Sequence, residues 1–409
     1  MGTRATLPPA EPVPSSAAVA LARIGRVVLA EARLRTSRRL PGRWRASLCA
    51  VPRTPAELTP DWLTGALCRD VARARVASVA LRGSSSGTTT RAAVDVTYNR
   101  AGTAAGLPQH LFVKCTSSLP QRLMLGMGGL ITGEPGFYER IRPRLDIEAP
   151  AGYFGTVDPS SWRSVVVIEN VAITHGARFG SARSLSRAQI EELLASAARW
   201  HGSLWADPKL DGAWTWLRTP AEQARLIVAL IGMADRTHAG ARRAATVLPP
   251  ALRERQRDLF EGMRRSLALL GEPPHTYLHG DLHLGNTYRT RSGRMGVCDW
   301  QVGLRGGWAH DVAYLLITAL EVGDRRAWER ELLGFYLQRL GEAGGAPPIY
   351  EAAWLAYRRA TLYPYFAWIY TLGRSRLQPR FQQPQLALRL VQRIGAAIED
   401  LGSLRAVGL

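Results

Sequence analysis

The order of predicted secondary structure constrains this chain most: short strand-like segments come first, and long helical segments follow after about residue 171. The early segments are short and β-branched or alternating, which is typical of strands. The later segments carry apolar residues at helical spacing. No fixed-period repeat is present, so a solenoid is disfavoured. Strands followed by helices indicate an α+β fold in two lobes.

Five strands are predicted, and antiparallel pairing is the economical topology because their connections are short. The strands span 76–81, 92–98, 110–116, 153–157 and 164–168, with one helix over 119–142. Further helices are predicted over 186–206, 219–245, 249–270, 309–322, 325–341, 348–372 and 382–402. The chain therefore divides into a basic N-terminal extension (1–54), a strand-rich lobe (55–171) and a helical lobe (172–409).

Basic residues outnumber acidic ones by 53 to 33, which gives a net charge of +20. Such a charge favours nucleic acid or an anionic membrane as a partner. No helix-turn-helix, zinc-finger or aromatic RNA-recognition pattern accompanies it, so no nucleic-acid partner is expected. All but two of the basic residues, Lys114 and Lys209, are arginine. We interpret the charge as a biased choice of surface cation, which makes each lysine informative.

The first 54 residues are rich in arginine, and Glu11 and Glu31 are their only acidic residues. Residues 17–35 are predicted to form a basic amphipathic helix, for which a solvated position is favoured over peripheral contact with a membrane. No apolar run reaches the roughly 20 residues that a membrane span needs. The four cysteines form no CxxC pair and no secretory signal is recognised, so a cytoplasmic protein is expected.

A non-helical insert, residues 279–307, interrupts the helical lobe. It reads His279-Gly-Asp-Leu-His-Leu-Gly-Asn286, followed by an apolar run that ends at Asp299. Phosphoryl transfer needs hard oxygen ligands for Mg²⁺ and a carboxylate that orients or deprotonates the attacking hydroxyl. Asp281 can fill the second role, and Asn286 and Asp299 the first. Each residue alone is also typical of turn chemistry, but their type, order and spacing match the kinase catalytic loop and metal-binding carboxylate.

This segment, with Asp299-Trp-Gln and Asp311-Val-Ala-Tyr after it, resembles the aminoglycoside phosphotransferase/choline kinase superfamily. Its motif sequences are similar to those of the ecdysteroid-kinase-like (CHK kinase-like) branch, and the resemblance covers residues 55–400. It implies a bilobal, protein-kinase-like fold, ATP and Mg²⁺ as cofactors, and transfer of the γ-phosphate to a hydroxyl of a small-molecule acceptor. It also implies that Asp311, which N-capping of its helix would explain by itself, braces the catalytic loop.

A kinase of this type also needs a strand cation that holds the α- and β-phosphates and a helix carboxylate that holds the cation. Lys114 lies inside the predicted third strand. Glu134, in Glu134-Pro-Gly-Phe-Tyr138, matches the helix glutamate that the resemblance implies, although the Pro and Gly beside it depart from a good helix sequence.

Two further segments complete the implied nucleotide site. The loop Gly83-Ser84-Ser85-Ser86-Gly87 connects the first two strands, where the superfamily's nucleotide loop lies, and its small residues let backbone N–H groups approach phosphate. It lacks a GxGxxG spacing, so an ordinary hairpin turn fits it equally well. The segment Glu169-Asn170-Val171 resembles the hinge that binds adenine through backbone groups, with a plain strand-end cap as the equal alternative for Glu169 or Asn170.

The acceptor is the least constrained part of this interpretation. Aromatic residues concentrate between Trp354 and Tyr370, at a spacing that core packing also explains. The last third of the chain has no dense acidic run, so a polycationic aminoglycoside is disfavoured and a partly apolar or ring-shaped alcohol is expected. A non-catalytic nucleotide-binding pseudokinase and a nucleic-acid-binding protein stay as alternatives. A protein kinase is disfavoured because no Ala-Pro-Glu follows Asp299.

Overall fold

The computed structural model of the chain describes residues 8, 14, 17–36, 51–180, 184–231, 233–373 and 383–409. These residues form two compact units. The first comprises the described residues up to Arg144 together with Pro150–Ala177, and the second comprises Leu145–Ala149 together with the described residues from Arg178 to Leu409.

The first unit is built on a five-stranded sheet in which every pair of neighbours is antiparallel, in the order β1-β2-β3-β5-β4. Its strands are β1 (Val76–Ser86), β2 (Thr90–Tyr98), β3 (His110–Cys115), β4 (Gly152–Asp158) and β5 (Arg163–Glu169). The predicted α+β fold, with about five antiparallel strands in a small lobe, is confirmed.

The sequence pattern of the strands explains how they pack. Alternate residues of β2, namely Ala92, Val94 and Val96, are buried, as the period of two in a strand requires. Six of the seven residues of β5 are buried, because this strand lies between β3 and β4 and carries apolar residues in succession. A continuous apolar core therefore lies against this sheet.

The predicted end of the first strand is wrong. β1 was expected to stop at Leu81 and to give way to a loop at Gly83, but it continues through Ser86. Gly83 has a φ of +74° at a shift in register between Arg82 and Ser84, so it forms a bulge instead of ending the strand. Glycine adopts positive φ without steric cost, which permits either outcome. The hairpin turn itself is Gly87–Thr89, closed by the pair Ser86 and Thr90.

Five short helices accompany the sheet: α2 (Pro60–Leu67), α3 (Arg100–Ala104), α4 (Leu119–Met127), α5 (Gly133–Gly136) and α6 (Val171–Thr174), all preceded by α1 (Ala17–Thr36). The single helix predicted over 119–142 is wrong. After α4 the chain turns at Gly128 and Gly129, the latter with a φ of +70°, and a π-helix (Phe137–Ile141) follows α5. Two consecutive glycines remove the helical preference at that point.

The predicted N-terminal helix is present as α1, but its expected solvated position is wrong, because one face of it packs on α4 within the first unit. Its Val27 is fully buried among apolar residues that include Leu125 and Trp162. Its Glu31 is also buried and accepts hydrogen bonds from two buried arginines, Arg122 and Arg163, each at 2.8 Å. Most of residues 1–16 and all of residues 37–50 of the predicted solvated extension lie outside the described residues.

The second unit is mostly helical. Its helices are α7 (Arg187–Ser203), α8 (Pro208–Asp211), α9 (Pro220–Ile231), α10 (Met233–Arg243), α11 (Pro250–Glu254), α12 (Gln256–Leu270), α13 (Ala309–Ala319), α14 (Val322–Glu342), α15 (Tyr350–Ala360), α16 (Leu362–Leu372), α17 (Pro384–Asp400) and α18 (Ser403–Ala406). Two helices that are predicted as single ones, over 249–270 and 348–372, are each divided in two, at Arg255 and at Thr361.

Two small sheets hold the non-helical insert between α12 and α13. One pairs β7 (Thr276–Leu278) with β10 (Leu304–Gly306), and the other has the order β6-β8-β9, with β6 at Arg178–Phe179, β8 at Thr287–Arg289 and β9 at Met295–Val297. Both sheets are antiparallel, so the loops after β7 and β9 are fixed at each end by strands. None of the described helices is long and apolar enough to cross a membrane.

Candidate active site

The loop after β7 brings Asp281 and Asn286 into direct contact. A turn of 3-10 helix over Leu284–Asn286 folds the chain back, so the Asn286 Nδ2 donates to the main-chain oxygen of Asp281 at 2.8 Å and lies 3.3 Å from its Oδ2. Asn286 is buried, whereas the Asp281 side chain is 32% exposed. The carboxylate is therefore positioned by the loop and still accessible from solvent.

Asp299 follows β9 and is tied to the same loop. The Cys298 N–H donates to the main-chain oxygen of Asn286 at 2.9 Å, which places the residue before Asp299 against the residue that contacts Asp281. Asp299 itself has a φ of +64° and a ψ of 62°, in the left-handed region that non-glycine residues seldom adopt. Such strain is often kept at functional sites, where it fixes the direction of one side chain.

The two histidines of the loop are held in defined roles by their hydrogen bonds. The Nδ1 of His279 accepts from the Asp281 N–H at 3.2 Å, so its Nε2 donates to the Cys298 carbonyl at 3.0 Å. Burial lowers the pKa of His279, which keeps this ring neutral. The Nδ1 of His283 accepts from the Gly285 N–H at 2.9 Å, which turns its Nε2 toward the Asp281 Oδ2 at 3.5 Å. The sequence alone does not assign a role to His283.

Asp311 supports the start of this loop. Its fully buried carboxylate accepts from the His279 and Gly280 N–H groups at 2.7 and 2.9 Å. Burial acts to raise the pKa of Asp311, but the hydrogen bond from His201 and the electrostatic effect of the neighbouring histidines together outweigh it, so this pKa lies below its ordinary value. N-capping does not explain Asp311, because the cap residue of α13 is Trp308.

Gly280 is the position in the loop that only glycine fits. Its φ is +80°, and a Cβ atom there would lie 2.3 Å from the carbonyl oxygen of Val302. The backbone between the residues that Asp311 holds and the carboxylate of Asp281 is therefore fixed by close packing as well as by hydrogen bonds.

Sequence analysis missed two residues behind Asp311. His201, on α7, places its Nε2 3.3 Å from the Asp311 Oδ2 and its Nδ1 2.8 Å from the hydroxyl of Tyr336 on α14. Both side chains are fully buried. Their contacts join segments that are far apart in the sequence, and a single polar residue on an apolar helix face gives no sign of its partner.

In the first unit, the predicted ion pair between Lys114 and Glu134 is present. The Lys114 Nζ on β3 lies 2.6 Å from the Glu134 Oε1 on α5, and both side chains are buried. A buried lysine is stable only when its charge is compensated, so this carboxylate keeps Lys114 in place.

The predicted phosphate-binding segment lies at the tip of the β1-β2 hairpin. Ser84, Ser85 and Ser86 belong to β1 and are exposed, and Gly87 begins the turn, where its N–H donates to the Thr89 carbonyl at 3.0 Å. The tip is contacted by Gln121 of α4, whose Nε2 lies 3.0 Å from the Gly87 carbonyl oxygen.

The predicted hinge follows the end of β5. The side chain of Glu169 accepts from the Ala151 N–H at 3.1 Å and lies 3.3 Å from the His175 Nε2, so it does cap the strand end. Val171 is the first residue of α6, and the N–H group of a first helical residue has no partner within its own helix.

The aromatic concentration divides into two groups. Tyr357, Tyr365, Phe366 and Trp368 are buried in the second unit, as ordinary packing requires. Tyr363 and Tyr370 are half-buried and lie seven residues apart on α16, which puts them on one face of that helix. Burial and the charge of Asp281 raise the pKa of Tyr363, so this end of the face lies near the catalytic loop.

Within the described residues, no group of three or more His, Cys, Asp and Glu side chains could hold a metal ion. A divalent ion at Asn286 and Asp299 would therefore need further oxygen ligands from water or phosphate. Mg²⁺ is usually bound in this way, through one or two carboxylates, waters and substrate phosphates. The Asn286 amide also fits, because its nitrogen faces Asp281 and its oxygen remains for a cation.

Comparison with known proteins identifies one family that the sequence matches. The family described as "Phosphotransferase enzyme family" (APH) matches residues 131–358, more than half of the chain. No curated protein matches the sequence significantly.

Several solved structures are similar at low identity. Macrolide 2'-phosphotransferase MphH from Brachybacterium faecium is 15% identical, over 71% of this chain and 84% of that one, with a TM-score of 0.41. Choline kinase LicA from Streptococcus pneumoniae is 16% identical, over 80% and 94%, with a TM-score of 0.44. The GDP complex of aminoglycoside 2'-phosphotransferase-IIIa is 14% identical, over 83% and 99%, with a TM-score of 0.47.

Proposed function

Because the chain belongs to the phosphotransferase enzyme family, we propose that it transfers the γ-phosphate of ATP to a hydroxyl group of a small molecule. The observation that carries the proposal is the loop in which Asn286 contacts Asp281 and is joined through Cys298 to Asp299. This loop combines one accessible carboxylate with two hard oxygen ligands, which is what phosphoryl transfer asks of a protein.

In the proposed reaction, the Asp281 carboxylate accepts a hydrogen bond from the acceptor hydroxyl and takes its proton as the oxygen attacks the γ-phosphorus. The new oxygen–phosphorus bond forms while the bond to the β–γ bridging oxygen breaks, so ADP leaves and the acceptor becomes a phosphate monoester. His279 stays neutral through burial, so it positions the Asp281 backbone and does not compete for this proton.

Asn286 and Asp299 are the proposed ligands of Mg²⁺. When bound, the ion supplies positive charge that offsets the charge developing on the phosphate oxygens. The contact between Asn286 and Asp281 holds the proposed metal ligand at a fixed distance from the proposed base.

The first unit is the proposed nucleotide-binding lobe, and the second is the proposed catalytic and acceptor-binding lobe. Lys114, held by Glu134, would contact the α- and β-phosphates. The hairpin tip, Gly83–Gly87, would offer backbone N–H groups to phosphate. The Glu169 carbonyl and the Val171 N–H would hydrogen-bond adenine, since the Glu169 side chain and N–H are already engaged by Ala151.

The proposed acceptor is a partly apolar alcohol rather than a polycation. Tyr363 and Tyr370 form a half-buried aromatic face on α16. The half-buried guanidinium of Arg236 lies 4.8 Å from the ring centre of Tyr370, and among the described residues no carboxylate pairs with it. A cation beside this face would repel the amino groups of an aminoglycoside. Membership of the ecdysteroid-kinase-like branch stays a prediction, as does a cytoplasmic location.

The proposal is tested with the purified chain, Mg-ATP and a library of small hydroxyl compounds, through ADP release and thermal stability. A kinase releases ADP only with a suitable alcohol and is stabilised by Mg-ATP, because a ligand that binds the native state raises its stability. Stabilisation without turnover on any alcohol would favour the pseudokinase. The absence of both would refute the proposal, and a salt-sensitive shift of DNA or RNA would favour nucleic-acid binding.

A further inference from the structure

Gln121 of α4 connects to the β1-β2 hairpin tip through its amide nitrogen. The Nε2 lies 3.0 Å from the Gly87 carbonyl oxygen, 3.3 Å from the Ser86 Oγ and 3.4 Å from the Thr90 Oγ1. It therefore contacts the last residue of β1, the first residue of the turn and the first residue of β2. The Gln121 side chain is 6% exposed, so water competes little for these bonds.

The same side chain has a separate structural task. Its Oε1 accepts from the Ser118 N–H at 3.0 Å, and the main-chain N–H of Gln121 donates to the Ser118 Oγ at 3.3 Å, which is a capping box at the start of α4. A glutamine three residues after a serine cap is common for that reason alone. Capping uses the oxygen of the amide, which also accepts a long contact of 3.5 Å from the Thr90 Oγ1, whereas the contacts with Gly87 and Ser86 use the nitrogen.

The element that carries Gln121 is itself anchored. The next residue, Arg122, is buried, donates to Glu31 of α1 at 2.8 Å and donates to the Ser161 carbonyl at 3.1 Å. The β1 side of the hairpin tip, by contrast, is exposed from Arg82 to Gly87, because β1 is the edge strand of its sheet. The anchored helix α4 therefore supplies a fixed point for an exposed segment at the edge of the sheet.

We propose that Gln121 is a positioning residue that holds the hairpin tip in the conformation that binds the ATP phosphates. The inference rests on the proposed function and goes beyond it, since Gln121 lies outside the matched residues 131–358. Gln121 need not touch the nucleotide. It fixes the Gly87 carbonyl, and through it the backbone N–H groups of the tip, before ATP binds. Less conformational entropy of the tip is therefore lost on binding.

Two variants separate positioning from capping. Gln121→Glu keeps an oxygen for the Ser118 N–H but has no donor for the tip, and Gln121→Met has neither. The matched control is Gln189→Met on α7 of the second unit, because Gln189 forms the same capping box with Ser186, with its Oε1 3.0 Å from the Ser186 nitrogen.

The measurement is the dissociation constant of Mg-ATP and of adenosine, by calorimetry, for wild type and the three variants. Losing one or two neutral hydrogen bonds should weaken Mg-ATP binding by about tenfold in both Gln121 variants. Adenosine binding should change by less than about twofold, because adenosine has no phosphate. Gln189→Met should change neither constant. If Gln121→Met and Gln121→Glu weaken Mg-ATP binding equally, the effect is due to the lost donor and not to charge, since only Gln121→Glu adds a charge.

Unchanged constants for Mg-ATP and adenosine in Gln121→Met would overturn the inference while leaving the proposed function intact. An equal loss for both ligands would also overturn it, because it would indicate a general disturbance of the lobe. A wild-type protein that does not bind Mg-ATP would contradict the proposed function, and the inference would fall with it.

Discussion

Removing the hydroxyl of Tyr336 tests how the catalytic loop is supported. The Tyr336 hydroxyl lies 2.8 Å from the His201 Nδ1, and the His201 Nε2 lies 3.3 Å from Asp311, which holds the N–H groups of His279 and Gly280. Burial, reinforced by the charge of Asp311, raises the pKa of Tyr336 well above its ordinary value, so the phenol stays a neutral donor. His201 then keeps its Nε2 proton for Asp311.

The magnitude follows from what Tyr336→Phe leaves behind. The variant creates almost no void, but the His201 Nδ1 becomes a buried acceptor without a donor, which costs about 1–3 kcal/mol of unfolding free energy. Asp311 keeps both backbone N–H groups, so Asp281 should shift by less than the 1 Å that can cost about 100-fold in rate. We therefore expect a measurable loss of stability and a kcat reduced by less than about tenfold.

The assay is urea unfolding together with steady-state turnover, with Tyr350→Phe as the matched control. Tyr350 donates to the Arg330 carbonyl at 3.0 Å near the surface, where water can replace its hydroxyl. Its loss should cost less than about 0.5 kcal/mol. If Tyr336→Phe costs no more than Tyr350→Phe, the hydroxyl does not support His201, and the proposed chain of contacts to the loop is refuted.

Two other predictions concern charge. Glu31→Gln leaves the buried Arg122 and Arg163 without a carboxylate, so urea unfolding should show a loss of about 3–5 kcal/mol, and a loss below about 1 kcal/mol would contradict a buried ionic network. Burial lowers the pKa values of His279 and His310, so the unfolded chain binds more protons below about pH 6.5 and stability should fall from pH 7.5 to 5.5. The loss of stability between pH 7.5 and 5.5 should be smaller in His310→Gln than in wild type, and an equal loss would contradict the contribution of His310.

The control for Glu31→Gln is Glu191→Gln. Glu191 pairs with Arg187 at 2.9 Å on the surface of α7, and such i,i+4 pairs contribute about 0.3–0.5 kcal/mol. Both variants remove one carboxylate from an ion pair with arginine, so the difference between them measures the effect of burial.

Local spacing predicted much of the candidate site. Asp281 and Asn286 were found because both lie in one short loop, where their type and spacing can be recognised from the sequence. Lys114 was found because lysine is rare in this chain, and its partner Glu134 lies only 20 residues away. The five strands were found because each carries its own apolar pattern.

What sequence analysis missed depends on long-range contacts. Gly83 signals a turn and a bulge equally well, and only its pairing with β2 decides between them. Ser118 and Gln121 give the pattern of a capping box, but nothing local indicates that the amide nitrogen contacts a hairpin more than 30 residues earlier. His201 and Tyr336 lie 135 residues apart and become partners only after α7 and α14 pack together.

Turnover by Asp281→Asn tests the central claim most directly. The substitution keeps the size of the side chain and the main-chain oxygen that Asn286 contacts, but it removes the group proposed to take the proton. We predict that kcat on a hydroxyl acceptor falls by about 10²- to 10⁴-fold, as expected for the loss of a general base, while the dissociation constant of Mg-ATP and the stability stay close to those of wild type. Turnover equal to that of wild type would contradict the account.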